Sequence, residues 1–377
     1  MNQKFNKLIY VLSALLVVVL LVSACAPAPA PATEEPAAPA VEEPAAPAAE
    51  EPAEVEEEPT AVPTVEPTKP PMDQVTLRLS WRWKTEFAAL ILADDKGFFA
   101  EQNIDVEILE GKGSGDVVPL IAQKEDDFGY LNLTTVSIGI SKGMPIKVVA
   151  GLMGKHPSGL AYFEDKPLRE PKDLEGKVVA LAPGEAFAVI YPAFAEKWGI
   201  DTSLVTTVNL DASVKNQAFL EGDIDILPLY INNELPLLRT MTDKEINVLM
   251  PAEYGFNTIA NGIITHQDTI DNNPDLVRRF VAAVIKGYQY TLEHPEEALE
   301  AIKLRSTELA GQPEEVLLEQ VILTMSLIHS QATEGKPIGW MADEDWDRTL
   351  DLLFETGGIE MRPANVDVFT NDFIPTE

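Results

Sequence analysis

The sequence predicts an α/β protein of two lobes, and three observations carry that prediction. Short β-type runs alternate with helix-type runs in two blocks, residues 75–152 and 174–251. That alternation is how sheets covered by helices are built. Four long helical segments then follow with no strand between them. Residues 72–377 are also enough chain for two domains of ordinary size.

The segments before the body read differently. Lys4 and Lys7 precede seventeen almost wholly apolar residues, 8–24, which end in Ser23-Ala24-Cys25. A basic start, an apolar centre and small closing residues are the order of a secretory signal. Seventeen residues is also the lower edge of what a spanning helix needs. Cys25 is the only cysteine, and its setting resembles the bacterial lipobox, whose cysteine is diacylated before the preceding peptide is removed. The expectation is a signal peptide over residues 1–24 and a membrane lipid anchor on Cys25. The protein would then work outside the cytoplasm, tied to the bacterial cell membrane. An uncleaved signal anchor with an incidental thiol is the plain alternative. Residues 26–71 hold thirteen of the 29 prolines and eleven glutamates against one lysine, Lys69. Proline withholds backbone donors and the glutamates repel one another, so residues 25–71 read as a disordered Pro/Ala/Glu tether.

The body, residues 72–377, is strongly acidic in a chain of formal charge −33. It has no electrostatic reason to bind nucleic acid. With Cys25 committed to the anchor, no disulfide is available. Residues 75–81 alternate apolar and polar, as a strand does. Residues 87–99 read as a helix stopped at Gly97, 105–109 as a strand, and Gly111 to Gly115 as a turn into a helix from Asp116. A strand at 128–131, a helix at 134–142 ended by Gly143 and a buried strand at 146–152 complete the first block. The second block gives strands at 178–182, 205–210 and 224–231, helices at 188–198 and 214–220, and a helix from Asn233. After residues 258–265 the character changes. Helices follow at 274–293, 295–306, 313–329 and 343–355, the first with Val277, Phe280, Val281, Val284 and Tyr288 on one face. The expected result is two parallel-type sheets with chain crossings near residues 157–162 and 258–265. Lobe 1 is then residues 72–160 and 262–377, and lobe 2 residues 161–261. Two crossings make a hinge, and a ligand would sit in the cleft beyond the strand ends.

Several runs are similar to a known family. Gly97-Phe98-Phe99-Ala100-Glu101-Gln102-Asn103-Ile104-Asp105-Val106 resembles the "GYF…GLDV" element of the SsuA/THI5-like (NMT1/THI5) solute-binding proteins. Asp127-Phe128-Gly129, Gly143-Met144-Pro145-Ile146-Lys147, Pro171-Lys172-Asp173-Leu174-Glu175-Gly176-Lys177 and Glu221-Gly222-Asp223-Ile224-Asp225 match its pattern in order. So do Asn273-Pro274-Asp275-Leu276 and His294-Pro295-Glu296-Glu297-Ala298. The resemblance spans nearly all of residues 72–377. It implies a type II periplasmic-binding-protein fold and the role of solute-binding lipoprotein for an ABC importer. The partners would be an ABC permease and ATPase, and the cargo a small molecule.

Relatives in that family take alkanesulfonates, nitrate-like anions, thiamine pyrimidines or flavins, so the loops must distinguish among them. The first loop holds Trp81, Trp83, Thr85, Glu86 and Phe87, and resembles that of the thiamine-pyrimidine and riboflavin branch. The loop after the third strand gives Asn132, Thr134 and Thr135. In lobe 2, Glu185 leads to Phe187 and Tyr191, and a later strand ends in Tyr230-Ile231-Asn232-Asn233-Glu234, similar to a run of the same branch. The rings of Trp81, Trp83, Phe87, Tyr191 and Tyr230 suit a flat aromatic heterocycle. Glu86, Glu185 and Glu234 would repel a sulfonate. Against this, Gly113-Ser114-Gly115-Asp116 at a helix start, with Arg82, Lys84 and Lys112 near in sequence, could hold a sulfonate, taurine or nitrate anion. Each residue also has a plain role: Trp81 or Tyr191 as core, Glu234 as a helix-start charge, Asn232 and Asn233 as turn formers. The family further includes a pyrimidine synthase that uses histidine and cysteines. Here His156, His266, His294 and His329 are scattered, and no catalytic residue, metal or cofactor is expected.

Overall fold

The computed structural model describes residues 71–181, 186–210 and 212–376. The signal, Cys25, the tether up to residue 70 and Glu185 lie outside the described residues.

Lobe 1 opens with β1 (Asp73–Leu79), whose Val75, Leu77 and Leu79 face inward. It continues through α1 (Ala88–Asp95), α2 (Phe98–Glu101), β2 (Ile104–Leu109), α3 (Ser114–Ala122), β3 (Phe128–Asn132), α4 (Leu133–Ser141) and β4 (Ile146–Met153). The chain crosses to lobe 2 for β5 (Ser158–Phe163), β6 (Val178–Ala180), α5 (Ala186–Trp198), β7 (Thr206–Val208), α6 (Ala212–Glu221), β8 (Leu227–Tyr230), α7 (Glu234–Thr240) and β9 (Ile246–Leu249). It returns to lobe 1 with β10 (Asn261–His266) and then runs through helices: α8 (Gln267–Asn272), α9 (Pro274–Glu293), α10 (Pro295–Arg305), α11 (Glu314–Met325), α12 (Asp343–Glu355) and α13 (Asn365–Val368).

The lobe 1 sheet has the order β2-β1-β3-β10-β4. β1 is parallel to β2 and β3, whereas β10 is antiparallel to both β3 and β4. In lobe 2, β5 lies antiparallel between β8 and β9, and β6 pairs in parallel with β7. A parallel bridge from Val179 to Ile226 joins these pieces in the order β7-β6-β8-β5-β9. The two lobes thus repeat one plan. Both sheets are mixed, which corrects the expectation of parallel sheets. The strand that enters each lobe from a crossing has no crossover helix before it, so it arrives reversed and pairs antiparallel. β5 starts at Ser158, within the segment expected to be a crossing.

Local chemistry explains the boundaries. Gly97 adopts φ 74° between α1 and α2, a left-handed turn that suits glycine. Asn273 caps α9 through the Leu276 N–H, and Pro274 occupies its first turn, where a missing N–H costs nothing. α9 buries Val277, Phe280, Val281, Val284 and Tyr288, the face its spacing predicts. Phe280 stacks on Phe128 with ring centres 3.8 Å apart and packs against Phe99 at 5.3 Å. In lobe 2, Phe163 stacks on Phe219 at 4.5 Å. The C-terminal segment completes lobe 1: Met341, Trp346 and Leu350 pack with Val148 and Ile264, and Phe373 and Ile374 join the core around α9.

One side chain ties the crossings together. Asn257 accepts from the His156 N–H at 3.0 Å and donates to the Gly154 carbonyl at 2.9 Å and to Asp345 at 3.2 Å. Asp345, buried on α12, also accepts from Ser330 Oγ. Both crossings and the helical tail therefore share one buried polar cluster, every member of which is bonded.

Candidate ligand-binding cleft

Two cavities gather six of the residues singled out from the sequence, Trp81, Trp83, Thr85, Tyr230, Asn233 and Glu234. The first, about 300 Å³, is lined by Trp81, Trp83 and Thr85 from lobe 1, by Asn233 from lobe 2, and by Gln312 and Gln320 from the helical tail. The second, about 100 Å³, lies in lobe 2 among Ser158, Phe187, Lys215, Tyr230 and Glu234. Asn233 and Glu234 are consecutive, so one turn contributes a residue to each cavity. A larger depression of about 530 Å³ near Asn257, Asp345 and Arg348 belongs to the crossings and is lined by no Phe, Tyr or Trp among the described residues.

The first loop is shaped by a close backbone approach. The Gly111 N–H donates to the Trp81 carbonyl at 3.1 Å, and a Cβ at Gly111 would lie 2.0 Å from the Leu79 carbonyl oxygen. Only glycine fits there. The Trp83 N–H donates to Glu110 Oε1 at 2.9 Å, leaving the Trp83 ring half-buried against the lobe 1 core. Trp81 is 45% exposed. A single 3-10 turn, Thr85–Phe87, then sends the chain into α1. Phe87 is fully buried and meets Tyr130 edge-on at 5.6 Å, so it fills the lobe 1 core in this structure. Glu86 is half-buried, and desolvation raises its carboxyl pKa against the opposing charge of Lys84. A carboxyl favoured as the acid withdraws stability as pH rises above its ordinary value. Glu86 lines neither cavity, so this cost at neutral pH falls in the loop beside them. Close by, the buried hydroxyls of Tyr130 and Tyr288 influence each other's ionisation, but neither forms a hydrogen bond of good geometry.

The third-strand loop serves a local purpose. Asn132 caps α4 by accepting from the Thr135 N–H at 3.1 Å, and the Thr134 and Thr135 hydroxyls also donate to its side chain. The Asn132 N–H in turn donates to Ser114 Oγ at 3.0 Å. These residues line neither cavity.

In lobe 2, the Tyr230 N–H donates to Glu234 Oε2 at 2.8 Å, which closes the turn into α7. Asn232 is buried and donates to Thr324 at 3.1 Å. Tyr191 is buried against Phe187, ring centres 5.8 Å apart, and burial raises its hydroxyl pKa. Tyr230 remains 41% exposed. Three residues beyond the loops singled out from the sequence join this site. His156 meets the Tyr230 ring at 5.9 Å, Lys215 reaches the Pro228 carbonyl at 3.2 Å, and Gln320 spans the two loops. His156 stands next to a proline at a lobe junction, which could have flagged it. Lys215 and Gln320 lie inside helices that look ordinary in sequence.

His156 Nδ1 accepts from the Ser158 N–H at 3.2 Å, which fixes the neutral tautomer with its proton on Nε2. Burial lowers its pKa from 6.5 to about 4. The unfolded chain therefore takes up this proton first, and stability is lost as pH falls from about 6.5 to about 4. His156→Asn keeps an acceptor but removes the titration. Melting curves across that window should show a smaller fall for the variant than for the parent.

A family description, NMT1/THI5 like, matches residues 84–298. The chain is 30% identical over 314 residues to the riboflavin-binding protein RibY of Chloroflexus aurantiacus, covering 81% of this chain and 87% of that one. The chain belongs to the NMT1/THI5-like family. It is also 23% identical over 302 residues to a formylaminopyrimidine-binding protein of Halalkalibacterium halodurans, covering 80% and 90% of the two chains. Among solved structures it resembles the periplasmic aliphatic sulphonate binding protein SsuA of Escherichia coli, with TM-score 0.60 and 12% identity over 78% of this chain and 91% of that one. The fold of this NMT1/THI5-like chain is thus that of the periplasmic binding proteins, two α/β lobes joined by two crossings.

Proposed function

We propose that the protein is an extracytoplasmic solute-binding lipoprotein of an ABC importer, anchored through Cys25. It captures a flat aromatic heterocycle, a thiamine pyrimidine precursor or a riboflavin-like vitamin, between its lobes and delivers it to a permease. The observation that carries this reading is the meeting of Trp81 and Trp83 from lobe 1 with Asn233 of lobe 2 around one cavity, beside Tyr230. Indole and phenol faces stack on a flat ring, while Thr85, Asn233, Glu234 and Lys215 offer donors and acceptors to its edge. The relatives named for riboflavin and formylaminopyrimidine binding support the same ligand class. Capture requires that the ligand bind the closed arrangement better than the open one.

An oxyanion is the second reading, favoured by the meeting of two helix starts at Ser114 and Asn132. Two N–H groups there, of Asn132 and Thr135, are already bonded within the protein, which weakens it. Tryptophan fluorescence and melting with riboflavin, hydroxymethylpyrimidine, formylaminopyrimidine, thiamine, taurine and nitrate decide between the readings. Quenching and a raised melting point are expected with one of the flat heterocycles. A response to taurine or nitrate alone would overturn the proposal.

A further inference from the structure

We infer that Gln320 is the positioning residue of the cleft: its one amide holds the first loop of lobe 1 and the Tyr230–Glu234 turn of lobe 2 in register. The inference rests on the reading of that cleft as the ligand site. Gln320 is 8% exposed. Its Oε1 accepts from Thr85 Oγ1 at 2.9 Å and its Nε2 donates to the Asn233 carbonyl at 2.9 Å. One turn further along α11, Thr324 accepts from Asn232 at 3.1 Å and donates to the Gln320 carbonyl at 2.8 Å. Beside them Glu319 pairs with Arg239 of α7. α11 itself is fixed in lobe 1, because Leu317, Val321 and Met325 belong to that lobe's core. A helix outside both βα blocks thus carries the polar ties that reach the lobe 2 turn.

The physical consequence concerns closure. A buried amide with both ends bonded contributes little net stability, yet its loss leaves the buried Thr85 hydroxyl without its partner and removes the Gln320 tie to the Asn233 carbonyl of lobe 2. Separation of the lobes lets water reach the Thr85 hydroxyl, and the tie from Gln320 to Asn233 no longer holds the lobes together. Removing the amide therefore favours the open arrangement, and apparent affinity falls with the fraction that remains closed. Thr85 and Gln320 act through one bond, so losing both groups costs no more than losing Gln320.

Spin labels on the full chain read the lobe separation directly. Exposed Glu125 on lobe 1 and Asp223 on lobe 2 serve as Glu125→Cys and Asp223→Cys sites in a Cys25→Ser background. Gln320→Leu is expected to lengthen the ligand-free distance and weaken riboflavin binding by about 5- to 10-fold. Thr85→Val should shift both in the same direction, and the double variant should match Gln320→Leu. Gln320→Glu accepts from Thr85 but cannot donate to Asn233, so it should also open the cleft. Unchanged distances in all variants would overturn the inference, as would additive effects of Thr85→Val and Gln320→Leu. Failure of riboflavin to bind the parent protein counts against the ligand class, and the distances alone then decide the role of Gln320.

Discussion

Phe280→Ala is expected to lower the stability of the body by about 3–5 kcal/mol, the range for truncating a buried phenylalanine in a core that cannot collapse around the gap. Phe280 is fully buried, stacked on Phe128 at 3.8 Å and braced by Phe99 at 5.3 Å. The rings lie between α9 and β3, so the cavity would open where the returning helices meet the lobe 1 sheet. Neither side can relax inward without disturbing the strand pairing of β3 with β1 and β10. Urea denaturation followed by circular dichroism gives the measurement. A loss below about 1 kcal/mol would mean that the helical tail shifts to refill the space.

Tyr230→Ala is expected to act on binding and leave stability nearly unchanged. Its side chain is 41% exposed and lies at the mouth of the lobe 2 cavity, against His156. The turn itself is held by the Tyr230 backbone N–H on Glu234, which the substitution keeps. If a flat ring stacks there, losing the phenol removes about 2–3 kcal/mol of burial and stacking, roughly 30- to 150-fold in affinity. Titration calorimetry on the parent and the variant measures it. A similar affinity in the variant would place the stacked ring on the tryptophans alone.

The elements most legible in the sequence were those with local signals. α9 has a capping Asn273, Pro274 in its first turn and an apolar stripe, and the structure gives it the expected bounds, Pro274–Glu293. β1 alternates, and α1 ends before Gly97, the stop its sequence predicts. β5 and β9 carry no strand signal in the sequence. β5 is buried on every residue, so it shows no alternation, and β9 has only four residues. The mixed character of the sheets was hidden for a related reason. Strand direction is set by where the chain enters a lobe, and no local pattern records that.

The cleft divides in the same way. Aromatic loop residues pointed to Trp81, Trp83 and Tyr230, and all three line its cavities. Phe87, from the same loop, is core, because one 3-10 turn rotates it toward Tyr130. Asn132, Thr134 and Thr135 are occupied in capping α4. Lys215 and Gln320 became visible only through proximity in space, whereas His156 stands beside Pro157 near a crossing and reads from the sequence as a polar loop residue.

The sequence by itself determined the family, the order of the βα units and the two loops that carry aromatic residues, since each rests on short runs of neighbouring residues. The tertiary structure alone decided the strand directions, which loop residues are core, and how the loops are joined. The Thr85–Gln320 bond spans 235 positions of chain. Whether such a pair meets depends on the packing of α11 into lobe 1 and on the return of the chain through β10, and neither leaves a trace in the residues beside Thr85 or Gln320.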